Sequence, residues 1–199
     1  MILEPNGRWF RVHAPCFRGR GGGVPAEDAA ARAAAASRTL LHPGDMFPPL
    51  TLNIPAGQAI EVPGWFAGEF GVVLFNRGAW CPYCTAQLRA FQRAGQSLAQ
   101  AGIRVAALWV DDEKTTAEFT ARHGLTFPLG HSADARAVAG LTGAFVNDDP
   151  LYLQSAGFVL DPQGTVIVSV YSSGAIGRLL PGDVAGLVRY LRQHTAASS

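Results

Sequence analysis

The chain has 199 residues, of which 48% are hydrophobic and 16% are charged, which is enough sequence to build one sizeable core. Sixteen basic and fifteen acidic side chains nearly cancel. The composition therefore holds no general attraction for nucleic acid or an anionic membrane, and it fits a small neutral substrate or a protein partner better.

Hydropathy and the number of cysteines bear on the compartment in which the protein is expected. No apolar run approaches the roughly 20 residues that span a bilayer, and residues 1–16 lack the uninterrupted apolar stretch of a secretory signal. We therefore expect a soluble, cytoplasmic protein. Three cysteines are too few for the disulfide scaffold of a small secreted domain, and in a reducing compartment a C-x-x-C is more often catalytic or metal-binding than a permanent staple.

Residues 1–38 differ in amino-acid composition from the rest of the chain. They combine a Gly/Arg segment, CFRGRGGGVP, with an Ala-rich segment, AEDAAARAAAASR, which is helical by propensity alone. We expect residues 1–38 to be a partly disordered N-terminal extension, residues 39–195 to be the folded domain and residues 196–199 to be a tail. A partner-binding arm is the alternative interpretation of the extension.

The folded domain opens with extended pieces. Prolines and glycines punctuate two short segments, near Leu50 to Ile54 and Ala59 to Val62, which predict a β-hairpin. GVVLFNR, residues 71–77, is an apolar run that predicts a buried strand. After this strand the apolar residues recur at helical spacing, which predicts a helix that begins close to Pro82 and ends by Gly102.

The remaining elements alternate in the same way. A second buried strand is predicted in IRVAALWV, followed by a helix that ends at Gly124 and a small helix near residues 133–139. Strand, helix, strand implies parallel strands joined by a right-handed crossover. Residues 157–173 predict an antiparallel hairpin around Asp161-Pro162-Gln163-Gly164, and PGDVAGLVRYLRQH predicts a closing amphipathic helix.

GAWCPYCTAQL, residues 78–88, places two thiols where the first buried strand passes into a helix. Unpaired N–H groups and the helix dipole favour a thiolate there, and the thiolate is the nucleophile. Arg77 supplies further positive charge to Cys81. Cys84 lies one turn further along the helix, so the pair can close an internal disulfide that a reductant must later open. Pro82 stiffens the link.

Two other interpretations of the thiols fit the sequence less well. Structural zinc usually needs four ligands, whereas the sequence has one C-x-x-C, a remote Cys16 and five scattered histidines. Two inert buried thiols are the other alternative. A redox pair fits the helix-start position best, with no metal and no cofactor. Trp80 is expected either to shield the thiols or simply to pack, and Gly78 to support the loop.

Four segments in a fixed order carry a family resemblance: HPGDMFPPLTLN, VVLFNRGAWCPYCTAQLRAFQ, HGLTFPLGHSADARAVAGLTG and GFVLDPQGTVIVSV. The chain resembles the peroxiredoxin-like branch of the alkyl hydroperoxide reductase / thiol-specific antioxidant (redoxin) family over about residues 40–192. The resemblance implies an α/β, thioredoxin-like fold with a central mixed sheet, helices on both faces and an N-terminal β-hairpin. It also implies reduction of hydrogen peroxide or organic hydroperoxides through a sulfenic acid.

The resemblance bears on the site residues as well. An ungapped match to the family's P-x-x-x-T-x-x-C pattern puts Arg77 at the proline, Cys81 at the threonine and Cys84 at the peroxidatic cysteine. The family's later arginine falls on Ser155, so a group that would orient peroxide is missing there. Arg77 is a candidate substitute. The helix-start argument favours Cys81 as the attacking thiol and the match favours Cys84, so the choice stays open.

The predicted function is a thiol peroxidase with a redox-active Cys81/Cys84 pair. Its expected partners are a small peroxide substrate and a thioredoxin-like or other dithiol reductant, and a homodimer is a further expectation. Two alternatives stand beside it. One is a thiol-disulfide oxidoreductase acting on protein disulfides, and the other is a non-enzymatic redox sensor or partner-binding module.

Overall fold

The computed structural model describes residues 2–3, 9–10 and 40–196. The chain divides into a unit of residues 1–37 and a unit of residues 38–199. In the first unit, β1 (Ile2–Leu3) and β2 (Trp9–Phe10) pair antiparallel. The expectations for the rest of the extension, including Cys16, and for residues 197–199 lie outside the described part of the chain.

The second unit alternates strands and helices. In chain order its elements are β3 (Leu50–Ile54), β4 (Gln58–Val62), a 3₁₀ turn (Gly64–Phe66), β5 (Phe70–Phe75), α1 (Pro82–Gln100), β6 (Ile103–Leu108), α2 (Glu113–His123), β7 (Leu129–Gly130), α3 (Ala135–Thr142), β8 (Val146–Asp148), β9 (Leu151–Leu153), β10 (Ala156–Leu160), β11 (Val166–Tyr171) and α4 (Pro181–Ala196).

The central sheet is mixed, as predicted. Its strand order is β11-β10-β5-β6-β7. Strands β5, β6 and β7 run parallel, while β10 is antiparallel to both β5 and β11. All six residues of β5 are buried, which is the pattern of a strand covered on both faces and explains its continuous apolar run.

Alternate residues of β5 belong to two different cores. Val72 and Leu74 pack in the core that includes Leu88 of α1 and Val188 of α4. Val73 and Phe75 pack in the other, with Leu52 of the β3–β4 hairpin and Val138 of α3. Successive strand side chains point to opposite faces, so one strand anchors both layers. Full burial of each such side chain stabilises the fold by about 1.5–3 kcal/mol.

Several predicted elements are confirmed. The β3–β4 hairpin pairs Leu50 with Val62. The helix after the second buried strand ends at Gly124, whose φ of 59° is left-handed, a conformation that glycine adopts without a steric penalty. In the β10–β11 turn, Asp161 Oδ1 accepts the Thr165 N–H at 2.8 Å.

The sequence did not predict β7, β8 and β9. These strands have two or three residues each, too few to show an alternating period. The small helix expected at residues 133–139 is found at Ala135–Thr142, where the Asp134 carboxylate caps it by accepting the N–H groups of Arg136 and Ala137.

Within the described ranges, no helix is long and apolar enough to cross a membrane.

Candidate active site

The two thiols lie at the junction between β5 and α1. Cys81 is the N-cap residue of α1, with extended backbone angles, and Pro82 is in the first turn. Proline suits that place because its missing N–H has no intrahelical partner to lose. Cys84 follows in the same turn, and both cysteines are free and 0% exposed.

The loop before Cys81 has a constrained backbone. Gly78 has a φ of 143°, and a Cβ built on it would lie 2.5 Å from Trp80 Nε1. The Gly78 carbonyl accepts the Cys81 N–H at 3.1 Å. The next amide, that of Ala79, donates to Asp111 Oδ2 at 2.6 Å. Gly78 and Asp111 thus shape the loop that presents Cys81 to the helix start.

Arg77 contacts both cysteines by different groups. Its backbone N–H donates to Cys84 Sγ at 3.2 Å, and its Nη1 lies 4.0 Å from Cys81 Sγ. Its Nη2 donates to the Tyr152 hydroxyl at 2.8 Å. The structure therefore places positive charge beside Cys81, where the sequence predicted it, and the catalytic role of Arg77 stays a prediction.

The ring of Trp80 lies against the guanidinium of Arg77. The Arg77 Cζ lies 4.8 Å from the Trp80 ring centroid, and the Trp80 and Tyr152 rings meet edge to face at 5.2 Å. Trp80 itself is 56% exposed. Its contacts support a place in the site, through Arg77 and Tyr152.

Arg178 is a site residue that the sequence reasoning missed. It lies in the irregular segment 172–180 between β11 and α4. Its Nη2 is 3.8 Å from Cys81 Sγ and 3.4 Å from Cys84 Sγ. No local periodicity marks it, since 97 residues separate it from Cys81. The sequence offered one indirect signal. The family pattern expects an arginine where this chain has Ser155, which indicates that a guanidinium could come from elsewhere in the chain.

Two buried polar side chains hold Arg178. Its Nη1 donates to Ser155 Oγ at 2.7 Å and to Gln87 Oε1 at 3.0 Å. The Gln87 Nε2 in turn donates to the Leu179 carbonyl at 3.1 Å. Ser155 and Gln87 are 2% and 5% exposed. Such polar groups are stable inside a protein when they are hydrogen-bonded, as both are here.

The environment treats the two thiols differently. Burial acts to raise the pKa of Cys81, but hydrogen bonds from Cys84 and the positive charge of Arg178 outweigh it, so the pKa of Cys81 lies below its ordinary value. Burial dominates at Cys84 and raises the pKa of that thiol, although Arg178 and the Arg77 N–H oppose the rise. Of the pair, Cys81 carries the thiolate more readily.

Polar side chains that follow β6 and β7 make local hydrogen bonds. Asp112 caps α2 by accepting the Thr115 N–H at 2.7 Å. His131 Nδ1 lies 3.1 Å from Ser132 Oγ. Among residues 40–196 and the two short N-terminal strands, no group of three or more His, Cys, Asp or Glu side chains could hold a metal ion.

A thioredoxin-like sheet with a reduced thiol pair at the strand-to-helix junction defines the class of protein as a thiol oxidoreductase. The family model of the AhpC/TSA family matches residues 43–169. A peroxiredoxin of Methanothermobacter thermautotrophicus is 26% identical over 155 residues, which are 75% of this chain and 72% of the relative.

Solved structures give the same fold. Mycobacterium tuberculosis AhpC superposes with a TM-score of 0.64 at 21% identity, over 77% of this chain and 94% of that chain. The peroxidoxin BcpB of the same organism superposes with a TM-score of 0.66 at 18% identity, over 75% and 97%.

Because the family model covers more than half of its length, the chain belongs to the AhpC/TSA family. It is a peroxiredoxin-like thiol peroxidase with an antioxidant function. The fold and the enzyme class that the sequence resemblance implied are thereby confirmed. The roles of Cys81, Cys84, Arg77, Trp80, Pro82 and Gly78 stay predictions.

Proposed function

We propose that the chain reduces hydrogen peroxide or an organic hydroperoxide with a two-thiol cycle at Cys81 and Cys84, and that a dithiol protein such as thioredoxin restores the thiols. One observation carries this proposal: both sulfurs lie within 4 Å of the same guanidinium nitrogen, Arg178 Nη2, at the start of α1. A cation and a helix N-terminus beside two free thiols favour thiolate chemistry.

In this cycle Cys81 attacks. The thiolate form of a cysteine is its nucleophilic form, and the pKa of Cys81 is lowered while that of Cys84 is raised. The Cys81 sulfur bonds to one peroxide oxygen, the O–O bond breaks, and the other oxygen leaves as hydroxide or alkoxide and takes up a proton. The sulfur is oxidised to a sulfenic acid and the peroxide is reduced to water or an alcohol.

Cys84 then resolves the sulfenic acid. It lies three residues after Cys81, within the first turn of α1. Its sulfur attacks the Cys81 sulfur, the S–O bond breaks, and water leaves as the internal disulfide forms. A dithiol reductant reopens that disulfide by thiol exchange through a mixed disulfide.

Single-cysteine variants test both parts of the proposal. The parent should consume peroxide with thioredoxin and thioredoxin reductase, whereas the double Cys81/Cys84→Ser variant should not. After one equivalent of peroxide, Cys84→Ser should carry a sulfenic acid that a dimedone-type probe traps on Cys81, read by peptide mass spectrometry. If the probe instead traps a sulfenic acid on Cys84 of the Cys81→Ser variant and none on Cys81 of the Cys84→Ser variant, Cys84 is the attacking thiol. Full peroxide consumption by the double variant would sink the cycle.

Exchange with protein disulfides is a second candidate function. The observation that favours it is the exposure of two aromatic residues beside the thiols, Trp80 at 56% and Tyr83 at 50%, because exposed aromatic side chains are frequent anchors of protein contacts. Reduction of insulin by the prereduced chain, at a rate that Cys81→Ser abolishes, supports this function. Failure to reduce insulin leaves peroxide as the substrate. The predicted homodimer and cytoplasmic location are separate proposals, and the non-enzymatic alternative does not fit the enzyme class that the family membership gives.

A further inference from the structure

We propose that the cavity between β3, β7 and α3 is a second binding site, which takes a small uncharged compound with an apolar body and one hydroxyl group. The cavity has a volume of about 290 Å³, close to the lower end of the range of small-molecule sites, which is about 300–1,000 Å³. The described residues that line it include neither Cys81 nor Cys84. The site is therefore separate from the thiol pair, and it does not rest on the proposed two-thiol cycle.

The body of the cavity is apolar. Four of its lining side chains are buried, with exposed fractions of 6% for Leu50, 2% for Leu52, 2% for Leu108 and 7% for Val138. Leu141 of α3 also lines the cavity and is 50% exposed, so it marks the side that is open to solvent. An apolar ligand that enters between these side chains leaves water, which favours binding.

The polar end of the cavity is formed by His131 and Ser132. His131 Nδ1 lies 3.1 Å from Ser132 Oγ. The other ring nitrogen, Nε2, makes no hydrogen bond within the part of the chain that the structure describes. Nε2 is a donor in one neutral tautomer and an acceptor in the other. A hydroxyl group both donates and accepts, so it pairs with Nε2 in either tautomer.

The charges around the polar end select an uncharged ligand. Asp134 lines the cavity, and its carboxylate caps α3. Hydrogen bonds from Thr115 lower the pKa of Asp112, and the nearby charges of Lys114 and His131 add to this effect, so a second carboxylate lies close to the ring. A ligand anion would face the Asp134 carboxylate and would lose its hydration to leucine side chains, which is costly.

Backbone hydrogen bonds hold the polar end in place. The His131 N–H donates to the Asn53 carbonyl at 2.9 Å, and the Ser132 N–H donates to the Asp111 carbonyl at 2.7 Å. Ser132 has a φ of 52°, a left-handed conformation that a residue other than glycine keeps only when its surroundings fix it. Because these groups are ordered before a ligand arrives, binding costs little conformational entropy.

The class of ligand connects the cavity with the enzyme reaction. Reduction of an organic hydroperoxide leaves an alcohol, which has an apolar body and one hydroxyl group. The cavity thus offers a second place for compounds of the class that the thiol pair releases. This connection rests on the proposed function, whereas the binding site itself does not.

Titration with 1-hexanol and hexanoate tests the site, since the two probes share an alkyl chain and differ in the charge of the head group. We expect 1-hexanol to bind the reduced full chain with a dissociation constant of about 0.1–1 mM, and to shift the amide NMR signals of Asn53, Ser132 and Val138. Hexanoate should bind at least about 10-fold more weakly. No saturable shifts, or shifts centred on other residues, would overturn the proposal. Equal binding of hexanoate would refute the uncharged class.

Two variants locate the ligand. Ala137 is an exposed residue of α3 that lines the cavity, and Ala137→Phe should abolish binding because its ring takes up the space. Ala117→Phe is the matched control, on an exposed alanine of α2 outside the cavity, and should bind like the parent. His131→Phe keeps a ring without its nitrogens and should weaken 1-hexanol binding by about 3- to 10-fold. Unchanged binding in Ala137→Phe and His131→Phe would place the ligand elsewhere.

Peroxide consumption by the parent, measured in parallel, separates this inference from the proposed function. A parent that consumes peroxide and does not bind 1-hexanol refutes the second site and leaves the two-thiol cycle intact. A parent that binds 1-hexanol at the cavity and consumes no peroxide supports the site, and only its connection with the product alcohol fails.

Discussion

Arg178 Nη1 donates a 2.7 Å hydrogen bond to Ser155 Oγ. The bond joins the segment after β11 to the residue just before β10, and it aims the other guanidinium nitrogen at the thiols. The family pattern expects an arginine at residue 155, and in its absence the guanidinium of Arg178 lies beside both sulfurs. The serine at that position has a use that the linear pattern cannot show.

The rate of peroxide reduction should depend on pH through Cys81. The pKa of this thiol lies below its ordinary value, so the thiolate persists below the pH at which an ordinary cysteine becomes protonated, and it is lost when the pH passes below the lowered pKa. We expect the single-turnover rate to rise with pH and to level off before the pH at which an ordinary cysteine would ionise. A profile that rises only around the pKa of a free cysteine would contradict the lowered value.

Arg77→Gln should reduce the reactivity of Cys81 by about 3- to 10-fold, because it removes one of two guanidinium groups near that sulfur. Tyr152→Phe keeps the ring against Arg77 and removes only the 2.8 Å hydrogen bond, so its effect should be smaller. Alkylation rates of Cys81 in Cys84→Ser backgrounds measure both. A larger loss in the tyrosine variant would show that Arg77 acts mainly on structure.

Gly78→Ala should destabilise the protein by about 1–3 kcal/mol and impair peroxide reduction. The residue has a φ of 143°, and an added Cβ would meet Trp80 Nε1 at 2.5 Å and Asp111 Oδ1 at 3.0 Å. Gly95→Ala is the control, since that glycine lies within α1 with nothing within 4 Å of an added Cβ. It should stabilise the chain by about 0.5–1 kcal/mol. Urea titration gives the unfolding free energies of both variants and the parent. A Gly78→Ala protein as stable as the parent would refute the steric argument.

Asp111→Ala should cost about 1 kcal/mol and slow the reaction, because the Ala79 N–H loses its 2.6 Å acceptor. Asp111→Asn keeps an acceptor oxygen and should retain most activity. Burial raises the pKa of the Asp111 carboxyl in the folded protein, so the folded state holds this proton more tightly than the unfolded chain.

The sign of the pH effect follows from that difference. The contribution of Asp111 to stability is fully present below the unfolded pKa of about 4 and declines as the pH rises through the raised folded pKa. The unfolding free energy of Asp111→Asn, measured against the parent, should therefore improve between about pH 4 and neutrality. A difference that stays constant over this range would contradict the raised pKa.

Local patterns determined much of this protein. The continuous apolar run of β5, the helical period after Pro82 and the glycine end of α2 each depend on residues within one element, so they can be read from neighbours along the chain. The same holds for the place of Cys81 and Cys84, since a strand followed at once by a helix puts both thiols at a helix start. The order of four segments was enough to show the family and its fold.

Only the tertiary structure decided what surrounds the thiols. Arg178 and Ser155 reach the site because the sheet order β11-β10-β5 brings the residues that flank β10 and β11 beside the end of β5. No period or spacing encodes a contact between residues 97 positions apart. The sequence did not predict strands β7, β8 and β9, because two or three residues are too few to show an alternating pattern and only the pairing with neighbouring strands defines them. The thiol pair and the neighbouring Arg77 are thus local features of the chain, whereas the guanidinium of Arg178 reaches the two sulfurs only through the fold.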